Sequence, residues 1–258
     1  MKAGPRPYVL GETNYKAVKG ENYSMAILPW GATEAHNYHL PYATDNIQAE
    51  AVAIQAAGLA WENGARGVVF PTVPFGVNTG QLDVPLCLNM NPSTQYAVLR
   101  DLVQVLDLQG IHKLVLVNAH GGNNFKQMIR ELYVEFPKVF VCSLNWWQVI
   151  DARGYFDRPG DHAGELETAM MMYLTPEWVL PLEEAGDGIA KSFKITGLRE
   201  GWVSAQRQWT QVTRDTGVGD PKSATPEKGG TFFGAVTEKI ASFLEELHLA
   251  DLNDLYGQ

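Results

Sequence analysis

Short apolar segments alternate with longer segments of helical character along the first two thirds of the chain. Apolar residues run almost without interruption through residues 23–31, 66–76, 113–118 and 138–147. In the second of these segments, the predicted strand runs into a loop. Segments typical of helices follow them, at 46–64, 93–110, 124–136 and 165–179. Buried strands that alternate with helices favour a mostly parallel sheet covered by helices on both faces. The pattern therefore predicts an α/β fold.

The last third of the chain has a different character. Residues 186–229 are rich in glycine, threonine and charged side chains, which predicts long loops with one hairpin over 192–206. An amphipathic helix is predicted from 230 to 249. There is no linker-like segment and no internal repeat, so residues 1–258 are predicted to form a single domain.

The composition and charge of the chain limit its possible partners and location. The net charge of −9 argues against nucleic acid or an anionic membrane as the main partner. No segment has the length and apolarity of a membrane span, and residues 1–16 lack the apolar run of a secretory signal. The two cysteines, Cys87 and Cys142, form no C-x-x-C pattern. We therefore expect a cytoplasmic protein with buried, reduced thiols.

Potential metal ligands are concentrated in the segment GATEAHNYHLPYATDN, residues 31–46, which contains Glu34, His36, His39 and Asp45. Side chains two positions apart in an extended segment point the same way, so Glu34 and His36 can reach one site together. Imidazole and carboxylate together suit Zn²⁺, Mn²⁺ or Fe²⁺. The alternative is a solvated loop in which Asp45 caps the following helix.

A second polar cluster follows the third predicted strand, in the sequence VLVNAHGGNN. Gly121 and Gly122 permit a close approach of the backbone to a ligand, and amides at the start of a helix attract anions. One alternative is a tight turn with a structural His120. Another is a phosphate cradle, although the lysine and the Ser/Thr of a P-loop are missing.

The third cluster is DHAGELETAM, residues 161–170, which places His162, Glu165 and Glu167 near the start of a helix. The i, i+3 spacing of His162 and Glu165 suits one shared site. The alternative is that the two glutamates only interact favourably with the helix dipole.

The order and spacing of four motifs resemble the creatininase family. The motifs are LPWGATEAHNYHLPYATD, NAHGGN, HAGELETAM and GDPKSATPEKG, and they extend from about residue 27 to residue 229. The resemblance implies a three-layer α/β/α fold with a mostly parallel central sheet and a centre of two divalent metal ions. It also implies hydrolysis of a cyclic or linear amide C–N bond by a homo-oligomer, commonly a hexamer.

The resemblance also assigns metal ligands. Glu34 and His120 match the ligands of one metal, His36 matches a ligand of the other, and Asp45 matches the bridge between them.

One ligand of the second metal differs from creatininase itself. Gly122 stands where creatininase has a glutamate, so another carboxylate must replace it. We expect Glu165 to do so, as a metal ligand and catalytic residue, with Glu167 as the alternative. His39 is expected to orient a ligand carboxylate.

The mechanism that the resemblance implies is attack of metal-bound hydroxide on an amide carbonyl. His162 matches the family histidine that handles protons, so it is expected to protonate the leaving nitrogen. The backbone amides of Gly121 and Gly122 are expected to help hold the substrate.

Two departures from creatininase concern the substrate. Arg158 stands where creatininase has a pocket tryptophan, and Gln81 replaces the histidine of a family loop. Trp146 or Trp147 is expected to replace another pocket tryptophan. We therefore expect an amide other than creatinine, and Arg158 suits an anionic one.

Two other functions remain compatible with the sequence. One is a member of the same fold that binds metal or ligand without catalysis. The other is a phosphate- or nucleotide-binding α/β domain that uses NAHGGNN as its cradle.

Overall fold

The computed structural model describes residues 4–257 and centres on a four-stranded sheet in the order β2-β1-β3-β4. The strands are β1 (Met25–Trp30), β2 (Gly67–Val69), β3 (Lys113–Asn118) and β4 (Phe140–Asn145). All neighbouring strands are parallel. The predicted α/β fold is confirmed.

Eight α-helices accompany the strands in the described part of the chain. They are α1 (Tyr15–Gly20), α2 (Thr44–Glu62), α3 (Pro92–Leu108), α4 (Lys126–Glu135), α5 (Glu165–Leu174), α6 (Thr196–Arg199), α7 (Trp209–Val212) and α8 (Pro226–Leu249). Helix α8 begins four residues earlier than predicted, because Thr225 caps it and Pro226 occupies its first position.

The sheet lies between two helical layers. Alternate side chains of its strands enter different cores, as the period of two in a strand requires. On one face Met25 and Ile27 pack with α2, α5 and α8. On the other face Leu28 and Trp30 pack with α3 and α4. The expected three-layer α/β/α arrangement is present.

The second strand covers Gly67–Val69, and residues 70–76 form the loop into which this strand was predicted to run. Pro71 and Pro74 lie beyond it, and proline has no backbone N–H to donate to a neighbouring strand. The rest of this segment reaches β1 through Val73, whose amide donates to Pro29 O at 3.0 Å.

The predicted hairpin over 192–206 is wrong. The amides of Arg199 and Glu200 donate to the carbonyls four residues before them, at 3.0 and 2.8 Å. These are helical hydrogen bonds, and they close the short helix α6 where strands were expected. The ring of Trp202 lies directly against Gly197 of this helix. The surrounding segment is irregular, as its composition predicts.

The strand order predicts a ligand site at one edge of the sheet. The chain leaves β1 for β2 on one side and leaves β3 for β4 on the other. The carboxyl ends of β1 and β3 are adjacent, with Trp30 opposite Asn118. Open α/β sheets bind ligands in the crevice at such a point. Within residues 4–257, no helix has the length and apolarity to cross a bilayer.

The close packing of α5 on α8 gives a test of the fold. A Cβ atom at Gly229 would lie 2.0 Å from Ala169 O, whereas one at Gly234 of the same helix would meet nothing within 4 Å. We expect Gly229→Ala to lower the free energy of unfolding by about 1–3 kcal/mol through overpacking. Gly234→Ala, the matched control, should raise it by about 0.5–1 kcal/mol. Chemical denaturation measures both, and equal effects would contradict this helix contact.

Candidate metal centre and substrate pocket

The loop after β1 and the first turn of α2 carry three of the proposed ligands. Glu34, His36 and Asp45 are each almost fully buried. The chain reverses at Asn37, which adopts a φ of 55°. Asp45 lies in the first turn of α2, but the N-cap is Ala43. The alternative role of Asp45 as a helix cap is therefore wrong, because its carboxylate faces two histidines instead.

The carboxylate of Asp45 lies between His36 and His120. Its Oδ1 is 3.1 Å from His36 Nε2, and its Oδ2 is 3.1 Å from His120 Nδ1. His120 follows β3, and its Nδ1 is also 2.9 Å from Glu34 Oε1. The carboxyl ends of β1 and β3 thus bring the first two sequence clusters together.

The third cluster adds His162, which precedes α5, and Glu167, which lies on α5. His162 Nδ1 lies 3.9 Å from Glu34 Oε1. Three overlapping groups result, and in each the potential ligand atoms lie within 4.8 Å of one another. The groups are Glu34–Asp45–His120, His36–Asp45–Glu167 and Glu34–His36–His162.

Each of the three histidines turns one ring nitrogen to a backbone carbonyl. His120 Nε2 lies 3.0 Å from Val77 O, His36 Nδ1 3.2 Å from Glu34 O, and His162 Nε2 3.0 Å from Ala35 O. A carbonyl oxygen only accepts, so these nitrogens donate. In a neutral ring the opposite nitrogen then carries a lone pair, and in all three histidines this nitrogen faces a carboxylate.

Two buried carboxylate oxygens, Glu34 Oε1 and Asp45 Oδ2, have no hydrogen-bond donor while His120 is neutral, because both face its unprotonated Nδ1. An ionised oxygen buried without a partner is strongly unfavourable, whereas a divalent cation would satisfy it. Nitrogen and oxygen ligands of this kind suit Zn²⁺, Mn²⁺ or Fe²⁺. The residues therefore fit a metal centre.

Protons compensate the carboxylates in the metal-free chain. Burial opposes a charge on His36, but Asp45, together with Glu167 and Glu34, outweighs it and raises the pKa of His36 to about 10. Burial also opposes a charge on His120, but Glu34 and Asp45 together outweigh it, so the pKa of His120 lies well above its usual value. Burial raises the pKa of Glu167, although His36 and His162 oppose that effect.

The family profile described as creatininase, creatinine amidohydrolase, matches residues 12–244. The chain belongs to the creatininase family. It is a hydrolase of that family and carries a set of candidate metal-binding residues.

Related proteins and structures agree with this membership. The mycofactocin precursor peptide peptidase of Mycobacterium ulcerans is 26% identical over 244 residues, which are 91% of this chain and 90% of that protein. A Bacteroides fragilis protein provisionally named creatinine amidohydrolase is 44% identical, with a TM-score of 0.90 over 95% of this chain and 98% of its own. A structure named creatininase Mn has a TM-score of 0.78 at 20% identity, over 94% of this chain and 99% of its own. It shows the shared fold.

This creatininase-family chain does not bring Glu165 to the metal centre. The buried carboxylate of Glu165 accepts from Arg158 N at 2.7 Å and pairs with Lys228 of α8. Two residues span about 200° around a helix, so Glu165 and Glu167 face nearly opposite directions on α5. Glu167 faces His36 and Asp45. The expectation that Glu165 is a metal ligand and catalytic residue is therefore wrong, and Glu167 takes its place as the candidate ligand.

A side chain at position 122 would disturb His120. A Cβ atom there would lie 2.2 Å from Val77 O and 2.5 Å from His120 Nε2. These two atoms make the hydrogen bond that orients the His120 ring. Gly122 is thus required by the local packing, which explains why no glutamate occupies this position.

His39 lies beside the centre without contacting a ligand carboxylate. Its Nε2 lies 2.9 Å from Thr168 Oγ1 of α5. Burial, helped by the charge of His36, lowers the pKa of His39 to about 4. The expectation that His39 orients a carboxylate is therefore wrong, since a neutral His39 ties the ligand loop to α5 instead.

A pocket of about 320 Å³ opens above the metal-ligand groups. Gly121, Gly122 and Trp147 line it, as expected. Trp146 does not, because it is buried against Phe232 in the core. Adjacent residues of this turn point in different directions, so only one tryptophan reaches the pocket.

The sequence analysis missed one wall of the pocket. Arg158 is exposed and lies outside the lining, whereas Arg207 and Trp209 belong to it. The Trp209 ring lies 4.9 Å from the His162 ring, and its amide donates to Gly80 O at 2.9 Å. Arg207 pairs with Asp161 at 3.0 Å. The segment ends an irregular stretch and begins the short helix α7, outside all four motifs, so no local pattern indicated it.

The His36–Asp45 pair predicts a pH dependence of stability in the metal-free chain. A raised pKa means that the proton on His36 stabilises the fold fully below about pH 6.5 and that this contribution is lost as the pH rises towards 10. With a chelator present, the difference in melting temperature between the wild type and His36→Gln should shrink from pH 7 to pH 10. A difference that grows with pH would contradict the charged pair.

Proposed function

We propose that this chain hydrolyses an amide C–N bond at a centre of two divalent metal ions. The observation that supports this most directly is the shared orientation of His36, His120 and His162. Each donates from one nitrogen to a backbone carbonyl and turns the other towards the carboxylates. Fixed tautomers of this kind are typical of metal-ligand histidines.

The donor set divides into two metal positions. Glu34 and His120 would hold one ion, and His36 and Glu167 the other. Asp45 would bridge the two ions, because its two oxygens face different histidines. Two such ions, when bound, supply a hydroxide from water at neutral pH and polarise the amide carbonyl.

His162 is placed to handle the proton of the leaving nitrogen. Its Nε2 is committed to Ala35 O, which leaves Nδ1 as the atom that carries a transferable proton. The ring lines the pocket and packs against Trp209, which restricts its orientation. General acid catalysis by a positioned histidine contributes about 10²–10⁴-fold. His162 therefore protonates the departing amine in this proposal.

The substrate is proposed to be a small amide or the end of a peptide. The pocket volume of about 320 Å³ suits a ligand of that size. Trp147 and Trp209 offer aromatic walls, and the exposed Gly121 amide can hold a polar group. Related proteins are named for creatinine and for a precursor peptide. A homo-oligomer, a cytoplasmic location and a single domain stay predictions.

Metal content and turnover test the proposed function. Protein purified without chelator should contain about two equivalents of Zn, Mn or Fe per chain and should hydrolyse a member of a panel of lactams, formamides and short peptides. His162→Asn should keep both ions and lose about 10²–10⁴-fold in kcat. Protein that takes up no metal would refute the centre. Fully loaded protein inert towards the whole panel would instead indicate a metal-binding member without catalysis.

The two glutamates of α5 give a paired test of the second metal position. Glu167→Gln should weaken binding of one ion by about 10-fold to 100-fold, because a ligand carboxylate is lost. Glu165→Gln is the matched control: it removes the charge that pairs with Lys228 and should leave the metal content unchanged. Elemental analysis and chelator competition measure both. Loss of an ion in Glu165→Gln alone would reverse the assignment.

A further inference from the structure

A row of hydrogen bonds leads from the ligand loop through two side chains and back to Glu34. The amide of Ala35 donates to Cys87 Sγ at 3.2 Å, and Cys87 Sγ donates to Gln81 Oε1 at 3.2 Å. Gln81 Nε2 then donates to Glu34 Oε2. We call Gln81 and Cys87 the carboxylate clamp. The row starts at Ala35 and ends at the adjacent Glu34. The clamp therefore links the ligand loop to the loop at 81–87.

The direction of this row follows from the chemistry of its ends. An ionised carboxylate only accepts, so the side of Gln81 that faces Glu34 must be its NH₂ group. Its carbonyl then faces Cys87, where the thiol is the donor. A glutamine amide can in principle rotate by half a turn, which would place its oxygen against the carboxylate. The thiol of Cys87 favours the observed orientation because it donates to Oε1, whereas sulfur is only a weak acceptor for the NH₂ group.

Burial keeps the thiol in its donating form. Burial raises the pKa of Cys87, and the nearby charge of Glu34 raises it further against the opposing Ala35 amide. Gln81 is buried and lines the pocket next to Glu34. Both members of the clamp are therefore neutral donors at the edge of a charged centre.

A strained turn precedes Cys87. Leu86 has a φ of 58°, which is uncommon for any residue other than glycine, and it is 80% exposed. Neighbouring contacts hold this turn: Tyr42 Oη donates to Pro85 O at 2.8 Å, and Leu88 N donates to Thr33 O at 2.9 Å. Strain that surrounding contacts maintain is often found at functional sites.

We infer that Gln81 and Cys87 are positioning residues that hold Glu34 Oε2 and thereby reserve Oε1 for the metal. This inference rests on the proposed function. The two oxygens of Glu34 are already different in the metal-free chain, because Gln81 binds Oε2 while Oε1 faces the His120 ring. Glu34 would therefore offer Oε1 to an ion, and the clamp restrains rotation of its carboxylate.

Chelator competition on the complete chain tests this inference. Gln81→Met and Cys87→Ala should each weaken binding of the ion held by Glu34 and His120 by about 10-fold to 100-fold, with less effect on the other ion. Cys87→Ser keeps a donor and should stay within about threefold of the wild type. Cys142→Ala is the matched control, because Cys142 lies away from the site beside Leu114 O.

The possible results separate the inference from the proposed function. Wild-type protein that binds no metal would refute both. Wild-type binding of two ions, with unchanged affinity in Gln81→Met and Cys87→Ala, would refute the clamp alone. An equal loss of affinity in Cys87→Ser and Cys87→Ala would also refute it, since the hydroxyl can replace the thiol as donor. Melting temperatures of the metal-free variants show whether each is folded.

Discussion

The candidate metal centre depends on the sharing of one buried carboxylate between two histidines. Asp45 presents one oxygen to His36 and the other to His120. It thereby joins the loop after β1, the start of α2 and the loop after β3. A charge at this depth is tolerated only with compensating partners. Backbone carbonyls orient the imidazoles that provide this compensation. The conformation of the two loops is therefore needed for the buried carboxylate to be tolerated.

Much of the fold follows from the apolar pattern of the sequence. The run at 113–118 corresponds residue for residue to β3, because a strand covered on both faces has no polar interruption. One element did not follow. A helical turn at α6 occupies the segment predicted as a hairpin. Backbone hydrogen bonding decided this outcome, which average hydrophobicity does not record.

The sequence indicated which residues converge where they follow strands and did not indicate it elsewhere. Glu34, Asp45 and His120 converge because the carboxyl ends of adjacent parallel strands meet. Helical spacing shows that Glu165 and Glu167 face apart, but only the packing of α5 shows which of them faces the centre. The wall at Trp209 and the donor from Gln81 come from loops whose partners are distant in sequence, and no local spacing encodes such contacts.

The position of Glu167 has a consequence for the C-terminal part of the chain. This carboxylate stands on α5, which α8 supports through the close approach of Gly229 to Ala169 and the pairing of Lys228 with Glu165. Helix α8 contributes no candidate ligand, yet it carries the helix that does. A truncated chain ending before residue 226 would keep every proposed ligand and still lose the scaffold of the second metal position. The part of the chain that holds the candidate centre in place is therefore longer than the segment that carries its proposed ligands.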